Sequence, residues 1–170
     1  GIEFALGQRW RDDRSVLGGA HECEAARGLE SLDGEDDVPC AALAEATYGA
    51  ARGATSAVVV NLGTGIGGAM VHDGVLVPNF EVGSLELDGV MAETRASAKA
   101  REREDLSWPE YATRLQRFFS HVERILSPDL FIVGGGISKR PDDYLPLLTL
   151  DTPIVPAQLK NNAGIVGAAL

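Results

Sequence analysis

The sequence predicts an α/β domain, and three features support this class. Residues 54–77 have the composition of three short strands joined by a glycine-rich loop and a turn. Residues 107–126 carry apolar side chains at three- and four-residue steps, as an amphipathic helix does. Residues 130–133 are wholly apolar and run directly into three glycines. A strand that is apolar on both faces is typical of a sheet covered by helices on both sides.

The three-strand segment contains one unusually glycine-dense loop. Its first strand includes Val58–Val60, which are β-branched, and the loop begins at Gly63. Asp73-Gly74 suits a type I′ turn between the second and third strands, because both positions need positive φ. Two interpretations of the glycine loop stay open. It either presents main-chain amides to an anion, most plainly a phosphate, or uses glycine only for its own geometry.

The helical segments follow from capping residues and periodicity. A helix is predicted to begin at Asp36 or Asp37, with Pro39 in its first turn and an alanine-rich continuation. A charged helix is predicted from about Glu93. Ser107 and a glutamate three residues later form a capping box at the start of the long amphipathic helix, whose aromatic residues are assigned to the core. A short strand at 152–156 and a final helix from about residue 161 complete the domain.

Composition limits the classes of function. The net charge is −10, which disfavours nucleic acid and anionic membranes as partners of the whole chain. Its two cysteines lack CxxC spacing, which argues against a disulfide framework or a cysteine zinc site. No apolar run reaches the roughly 20 residues that span a bilayer, and the sequence does not begin with a signal-peptide pattern. A cytoplasmic location is therefore expected.

Residues 95–103 contain a cluster of basic side chains, although the chain as a whole is acidic. It either belongs to a solvated helix face balanced by Glu102 and Glu104, or forms a track for a polyanion together with Lys139 and Arg140. The cluster consists of Arg95, Lys99, Arg101 and Arg103. Polyanion binding to such a track would weaken steeply with salt, because bound counterions are released on binding.

Four motifs occur together and in order: LGTGIGGA at 62–69, NFEVGSLELDG at 79–89, DLFIVGGGIS at 129–138 and LKNNAGIVGAAL at 159–170. On these motifs the chain resembles the sugar kinases of the ROK family (repressor, open reading frame, kinase), within it most the actinobacterial polyphosphate glucokinases. The resemblance implies the actin/hexokinase-like ATPase fold, which is ribonuclease H-like, and mainly its C-terminal lobe over residues 35–170. Residues 1–34 form a separate N-terminal segment, whose sequence pattern predicts no definite secondary structure. The resemblance also implies phosphoryl transfer from polyphosphate or ATP to the 6-hydroxyl of glucose, with Mg²⁺ on the donor, and a homodimer.

The resemblance also assigns the glycines to phosphate contacts. Residues of the first glycine loop fall on the family's second phosphate-binding loop: Gly63, Thr64, Gly65 and Gly67. The glycines after the apolar strand fall on the loop that borders the nucleotide or polyphosphate: Gly134, Gly135 and Gly136. Backbone amides in such loops are natural donors to phosphate oxygens.

Acidic residues carry the sugar-binding and base roles that the resemblance implies. Glu81 and Glu93 match glutamates that hold sugar hydroxyls, and Asp37 matches the general base that takes the proton from the attacking hydroxyl. Asp36 stands where the family has a sugar-facing asparagine, and Ser84 where it has a histidine. The alternative for Asp37 is a helix N-cap.

Further departures from the family pattern shape the functional expectation. Pro39 removes a backbone donor next to the base. The family's N-terminal D-x-G-G-T phosphate loop does not occur in this sequence, so weak or no activity of the chain alone is expected. The cysteine-rich zinc motif of many members is missing too, and no metal-binding residue is assigned. The rival hypothesis is a non-catalytic sugar- or phosphate-binding paralogue, whereas a DNA-binding repressor is disfavoured by the charge and by the lack of a helix-turn-helix pattern.

Overall fold

The computed structural model describes residues 38–159 and has the predicted α/β architecture. One five-stranded mixed sheet has the order β3-β2-β1-β6-β7, and a two-stranded ribbon is formed by β4 and β5. The strands are β1 (Ser56–Leu62), β2 (Ile66–His72), β3 (Val75–Val77), β4 (Glu86–Leu87), β5 (Val90–Met91), β6 (Leu130–Gly134) and β7 (Ile154–Pro156). The helices are α1 (Val38–Tyr48), α2 (Glu93–Ala96), α3 (Ala98–Arg103) and α4 (Trp108–Leu126).

β1 is the central strand and connects the two halves of the sheet. It pairs antiparallel with β2 and parallel with β6. β2 then pairs antiparallel with β3, and β6 pairs parallel with β7. The predicted meander of three strands is confirmed, and Asp73 and Gly74 both have positive φ in the turn between β2 and β3. Because β1 and β6 are parallel, the glycine segments that follow them emerge at the same edge of the sheet.

Alternation along β1 separates two buried clusters. Val58 and Val60 belong to the cluster on the side of α4, whereas Ala57 and Val59 belong to the cluster on the side of α1. Successive side chains of a strand point to opposite faces, so one apolar run serves both layers. The sheet is therefore covered on both faces, as the wholly apolar strand at 130–133 indicated.

α1 begins at Val38 and ends at Tyr48, directly before Gly49. Its Glu45 is fully buried, and the carboxylate accepts hydrogen bonds from the backbone amides of Ala50 at 2.7 Å and Leu159 at 2.8 Å. A buried carboxylate needs such donors, since burial without them is costly. Glu45 thus ties the end of α1 to a segment more than a hundred residues later.

The charged helical segment is divided in two. Ser97 separates α2 from α3 with extended backbone (φ −68°, ψ 159°), and its hydroxyl accepts a hydrogen bond from the Ala100 amide at 3.2 Å. The sequence predicted one helix here. A buried serine that caps a second helix explains the break, because serine competes with helical hydrogen bonding more readily than alanine does.

α4 confirms the predicted capping box and most of the predicted apolar stripe. The Glu110 carboxylate accepts a hydrogen bond from the Ser107 backbone amide at 2.9 Å. The stripe residues at the centre of the helix are buried: Tyr111, Ala112, Leu115, Phe118, Phe119 and Val122. Ile125, near the end of the stripe, is 56% exposed instead.

Some expectations fall outside the part of the chain that the structure describes. They are the segment 1–34, the cap and base residues Asp36 and Asp37, and the final helix from about residue 161. Cys40 is disulfide-bonded, although the cysteine pattern argued against a disulfide framework. Within residues 38–159 there is no helix whose length and apolar character would let it cross a membrane.

Candidate active site

A cavity of about 600 Å³ lies where the segments that follow β1 and β6 come together. Its wall includes Gly63 and Thr64 after β1, and Gly136 after β6. The remaining lining residues come from α3, the start of α4 and the turns after β6: Leu62, Ala98, Lys99, Arg101, Glu102, Trp108, Ile137 and Arg140. This volume is in the range of small-molecule sites, and the carboxyl ends of strands are where open α/β sheets bind ligands.

The first glycine loop is held in place by backbone hydrogen bonds. The Gly63 amide donates to the Gly65 carbonyl at 3.1 Å, and the Gly63 carbonyl accepts from the Lys99 amide at 3.1 Å. Within residues 38–159 the amides of Thr64 and Gly65 have no acceptor, so both can donate to a ligand. Gly67 lies in β2 opposite Asn61 and is not part of the cavity wall. Its assignment to phosphate binding stays a prediction.

In the second glycine segment, Gly135 packs against the end of β1 and Gly136 lines the cavity. Gly135 has φ +81°, and a Cβ built on it would lie 2.5 Å from the Leu62 carbonyl oxygen. Glycine is therefore required where the end of β6 passes over the end of β1. A Cβ on Gly136 would meet nothing within 4 Å, and this residue faces the cavity. Of the three glycines assigned by resemblance, Gly136 is the one that lines the wall.

Three of the basic residues considered for a polyanion track are brought together in the cavity wall. They are Lys99, Arg101 and Arg140. Lys99 and Arg101 form no ion pair within the described part of the chain, whereas Arg140 pairs with Asp143 through a contact of 2.5 Å. Arg95, Arg103 and Lys139 are not part of the wall. The cavity therefore keeps positive charge in a chain that is acidic as a whole.

Of the two acids that were predicted to balance the basic cluster, Glu104 pairs with one member of the cluster, Arg103, and with Arg114 of α4. Hydrogen bonds from Arg114 and Arg103 lower the pKa of Glu104 to about 2. Glu104 contacts Arg103 at 2.7 Å and Arg114 at 2.5 Å. It thus compensates these two arginines and leaves Lys99 and Arg101 uncompensated, although Glu102 also lines the cavity.

The two glutamates assigned to the sugar are brought to the neighbourhood of the first glycine loop. The Gly83 amide donates to Glu81 Oε1 at 2.6 Å, and the Gly83 carbonyl accepts from the Glu93 amide at 3.2 Å. A Cβ on Gly83 would lie 2.1 Å from the Ile66 carbonyl oxygen, directly after that loop. Neither glutamate lines the cavity itself, and Ser84 is exposed on the same segment. The structure thus groups Glu81, Ser84 and Glu93 beside the phosphate-loop candidate.

Trp108 is a wall residue that the sequence did not identify. It was assigned to the core with the other aromatic residues of α4, but it is only partly buried and lines the cavity. Its position at the first residue of the helix, between Ser107 and Pro109, is a signal that could have separated it from the buried stripe. The predicted base Asp37 and its neighbour Asp36 lie outside the described residues.

Comparisons with known proteins agree with the motifs. The sequence model described as "ROK family" matches residues 31–78. A polyphosphate glucokinase of Mycobacterium tuberculosis (strain CDC 1551 / Oshkosh) is 47% identical over 136 residues, which are 79% of this chain and 51% of that protein. The chain thus spans about half the length of this relative.

Solved structures extend the likeness to the fold. The inorganic polyphosphate/ATP-glucomannokinase from Arthrobacter sp. strain KM superposes with a TM-score of 0.76 and 65% identity, over 78% of this chain and 53% of that one. A ROK hexokinase from Thermus thermophilus has a TM-score of 0.69 at 24% identity, over 79% of this chain and 62% of the other, which shows the fold alone. The actin/hexokinase-like fold is thereby confirmed, and so is the predicted resemblance: the chain is a relative of the ROK family and carries part of its kinase fold.

Proposed function

We propose that this chain supplies the donor-binding and sugar-binding part of a kinase that transfers a phosphoryl group from polyphosphate or ATP to the 6-hydroxyl of glucose. The observation that carries the proposal is the cavity between the two glycine segments. It combines the Thr64 amide, which has no acceptor within residues 38–159, with Lys99 and Arg101, which have no ion-pair partner there. Phosphoryl transfer depends on positioning and on donors around the phosphate oxygens, and this wall offers both.

Separate groups are proposed for the two substrates. The donor phosphates occupy the cavity, whereas Glu81 and Glu93 on the neighbouring segment hold the hexose by accepting hydrogen bonds from its hydroxyls. The polyphosphate glucokinase and the glucomannokinase to which the chain is similar support this division through the substrates in their names. Asp37 is proposed as the base that accepts the proton of the attacking hydroxyl.

Mg²⁺ is proposed to arrive with the donor. This ion keeps several waters and binds through one or two carboxylates together with substrate phosphates. Glu102 is the carboxylate within the cavity wall that the structure describes, and it is therefore the residue proposed to face the ion. When bound, the metal would neutralise charge on the phosphate oxygens. Assembly into a dimer and a cytoplasmic location stay predictions.

The test is a coupled assay with glucose, Mg²⁺ and either polyphosphate or ATP, made on the full-length protein. Asp37→Asn is expected to lower the rate by about 10²–10⁴-fold, because the hydroxyl then lacks its base. Asp73→Asn makes the same chemical change in an exposed turn outside the cavity and is expected to have no effect.

Two outcomes would contradict the proposal in different ways. Unchanged turnover after Asp37→Asn would remove the base assignment. Calorimetric binding of glucose and polyphosphate without any turnover would replace the kinase with the non-catalytic binding lobe considered from the sequence.

A further inference from the structure

Trp108 forms the centre of a group that joins three separate parts of the chain. The Arg101 Cζ atom lies 3.8 Å from the centroid of its ring, and the Arg140 Cζ atom lies 5.1 Å from it. The ring is also stacked on Tyr144, with a centroid distance of 5.9 Å and an interplanar angle of 18°. Arginines from α3 and from the turn after Gly136–Lys139 are thus gathered on one indole at the start of α4.

Of the two arginines that contact the indole, Arg140 is also paired with the Asp143 carboxylate. Arg101 forms no ion pair within residues 38–159, and its Nε atom is buried without a hydrogen-bond partner there. The ring attracts the cation through its π face and does not neutralise it, so the guanidinium N–H groups stay available to an acceptor. A carboxylate in the same place would neutralise the charge, whereas an aromatic ring fixes the group and keeps the charge.

The ring of Trp108 is itself held in place by two buried tyrosines. Its ring meets Tyr111 edge-on at 6.4 Å, and both Tyr111 and Tyr144 are fully buried. The hydroxyl of Tyr111 donates to the Ala96 carbonyl at 2.8 Å, which connects this support to α2. A rigid support is what a positioning residue needs, because a loosely held partner would not restrict the arginines.

We propose that Trp108 is a positioning residue for the phosphate donor: its ring holds the Arg101 and Arg140 guanidinium groups in the cavity wall, where their donors meet a polyanion. The inference rests on the proposed function, since it concerns the same cavity. It adds a residue without a charge or a hydrogen bond to the donor, which acts only through the two arginines.

The experiment measures binding of inorganic polyphosphate by calorimetry at several salt concentrations. Trp108→Leu is expected to weaken binding about tenfold and to flatten the plot of log affinity against log salt by about one phosphate contact. Trp108→Phe keeps an aromatic face and is expected to stay within about threefold of the unmodified protein. Tyr48→Leu removes an exposed aromatic residue outside the cavity and serves as the control.

A double-mutant comparison separates positioning from a merely structural role. In a protein that already carries Arg101→Gln and Arg140→Gln, Trp108→Leu is expected to change neither the affinity nor the salt dependence, because the groups it positions are gone. A further loss of affinity in that background would overturn the inference. If Trp108→Leu does not fold, Trp108→Met replaces it in both series.

The failure of this inference is distinguishable from that of the proposed function. An unmodified protein that binds neither polyphosphate nor ATP would contradict both, whereas one that binds ATP but no polyphosphate would overturn this inference alone. An unmodified protein that binds polyphosphate, with Trp108→Leu binding equally well and with the same salt dependence, would overturn the positioning role alone.

Discussion

The two ends of β1 and β6 use their polar groups in opposite ways. At the paired end, defined by Ser56, Asp129 and Thr152, these polar groups are hydrogen-bonded to one another and to their neighbours. Asp129 Oδ2 accepts from the Ser56 amide at 2.8 Å and from its hydroxyl at 3.0 Å, and the Asp129 amide donates back to the Ser56 hydroxyl at 3.1 Å. The Thr152 amide donates to Glu123 at 2.6 Å.

At the open end, defined by the cavity wall around Gly63, Lys99, Arg101 and Gly136, donors are left over. The Arg101 Nε atom lacks a partner within residues 38–159, and neither Lys99 nor Arg101 is ion-paired there. The difference indicates that one end of the sheet stabilises the fold while the other keeps its donors for a ligand. Sites of this kind commonly carry unsatisfied groups that the rest of the structure compensates.

The largest expected effect comes from two neighbouring glycines at the open end. Gly135→Ala is expected to destabilise the protein by about 3 kcal/mol, since it places a Cβ at positive φ and against the Leu62 carbonyl. Gly136→Ala adds the same methyl group in open space and is expected to cost less than about 0.5 kcal/mol. Urea unfolding of both variants measures the contrast, and equal losses would show that the two glycines do not differ in role.

The paired end can be broken without touching the cavity. Asp129→Ala is expected to cost about 1.5 kcal/mol, because it leaves the Ser56 amide and hydroxyl without their acceptor. Its affinity for polyphosphate is expected to be unchanged. Asp151→Ala, a nearby exposed acid without a hydrogen bond to the described residues, is the control. Weaker polyphosphate binding by Asp129→Ala would mean that the two ends are not independent.

Two buried tyrosines allow a comparison in which a single hydroxyl group is removed and the expected change in stability is smaller. Tyr111→Phe removes a hydrogen bond to the Ala96 carbonyl and is expected to cost about 1 kcal/mol. The Tyr144 hydroxyl is buried without a partner among residues 38–159, so Tyr144→Phe is expected to be neutral or slightly stabilising. Urea unfolding at neutral pH measures both. A cost for Tyr144→Phe equal to that for Tyr111→Phe would indicate that its hydroxyl is satisfied in solution.

The same tyrosines predict a weak alkaline sensitivity. Burial raises the pKa of Tyr111, with a smaller contribution from Tyr144 nearby, and burial also raises the pKa of Tyr144. The unfolded chain therefore loses these protons first, and stability falls as pH rises above the ordinary tyrosine pKa of 10.0. The protein that carries both phenylalanine substitutions is expected to lose less stability than the unmodified protein between about pH 9 and about pH 11, a range that lies on both sides of this value. An unchanged loss would assign the sensitivity to other groups.

The sequence predicted many of the secondary-structure elements, because strand preferences, turn residues and helix caps act over only a few positions. Val58–Val60 and Asp73-Gly74 predicted strand and turn through backbone preferences, and Ser107 predicted the start of α4 through a capping box that the structure confirms. The division of the charged helix at Ser97 was missed, because the choice between one helix and two depended on burial of that serine. Site assignments from resemblance depended on motifs, and their roles stay predictions.

What the sequence by itself determined is therefore the set of elements and the chemical groups that each one carries, since hydrophobic period, caps and turn residues act over a few positions. What only the tertiary structure decided is which of these groups meet. The parallel pairing of β1 with β6 brings Gly63 beside Gly136, and packing at the start of α4 gathers Arg101 and Arg140 on Trp108. Contacts between residues far apart in the chain depend on how whole elements pack, and no short stretch of sequence contains that information.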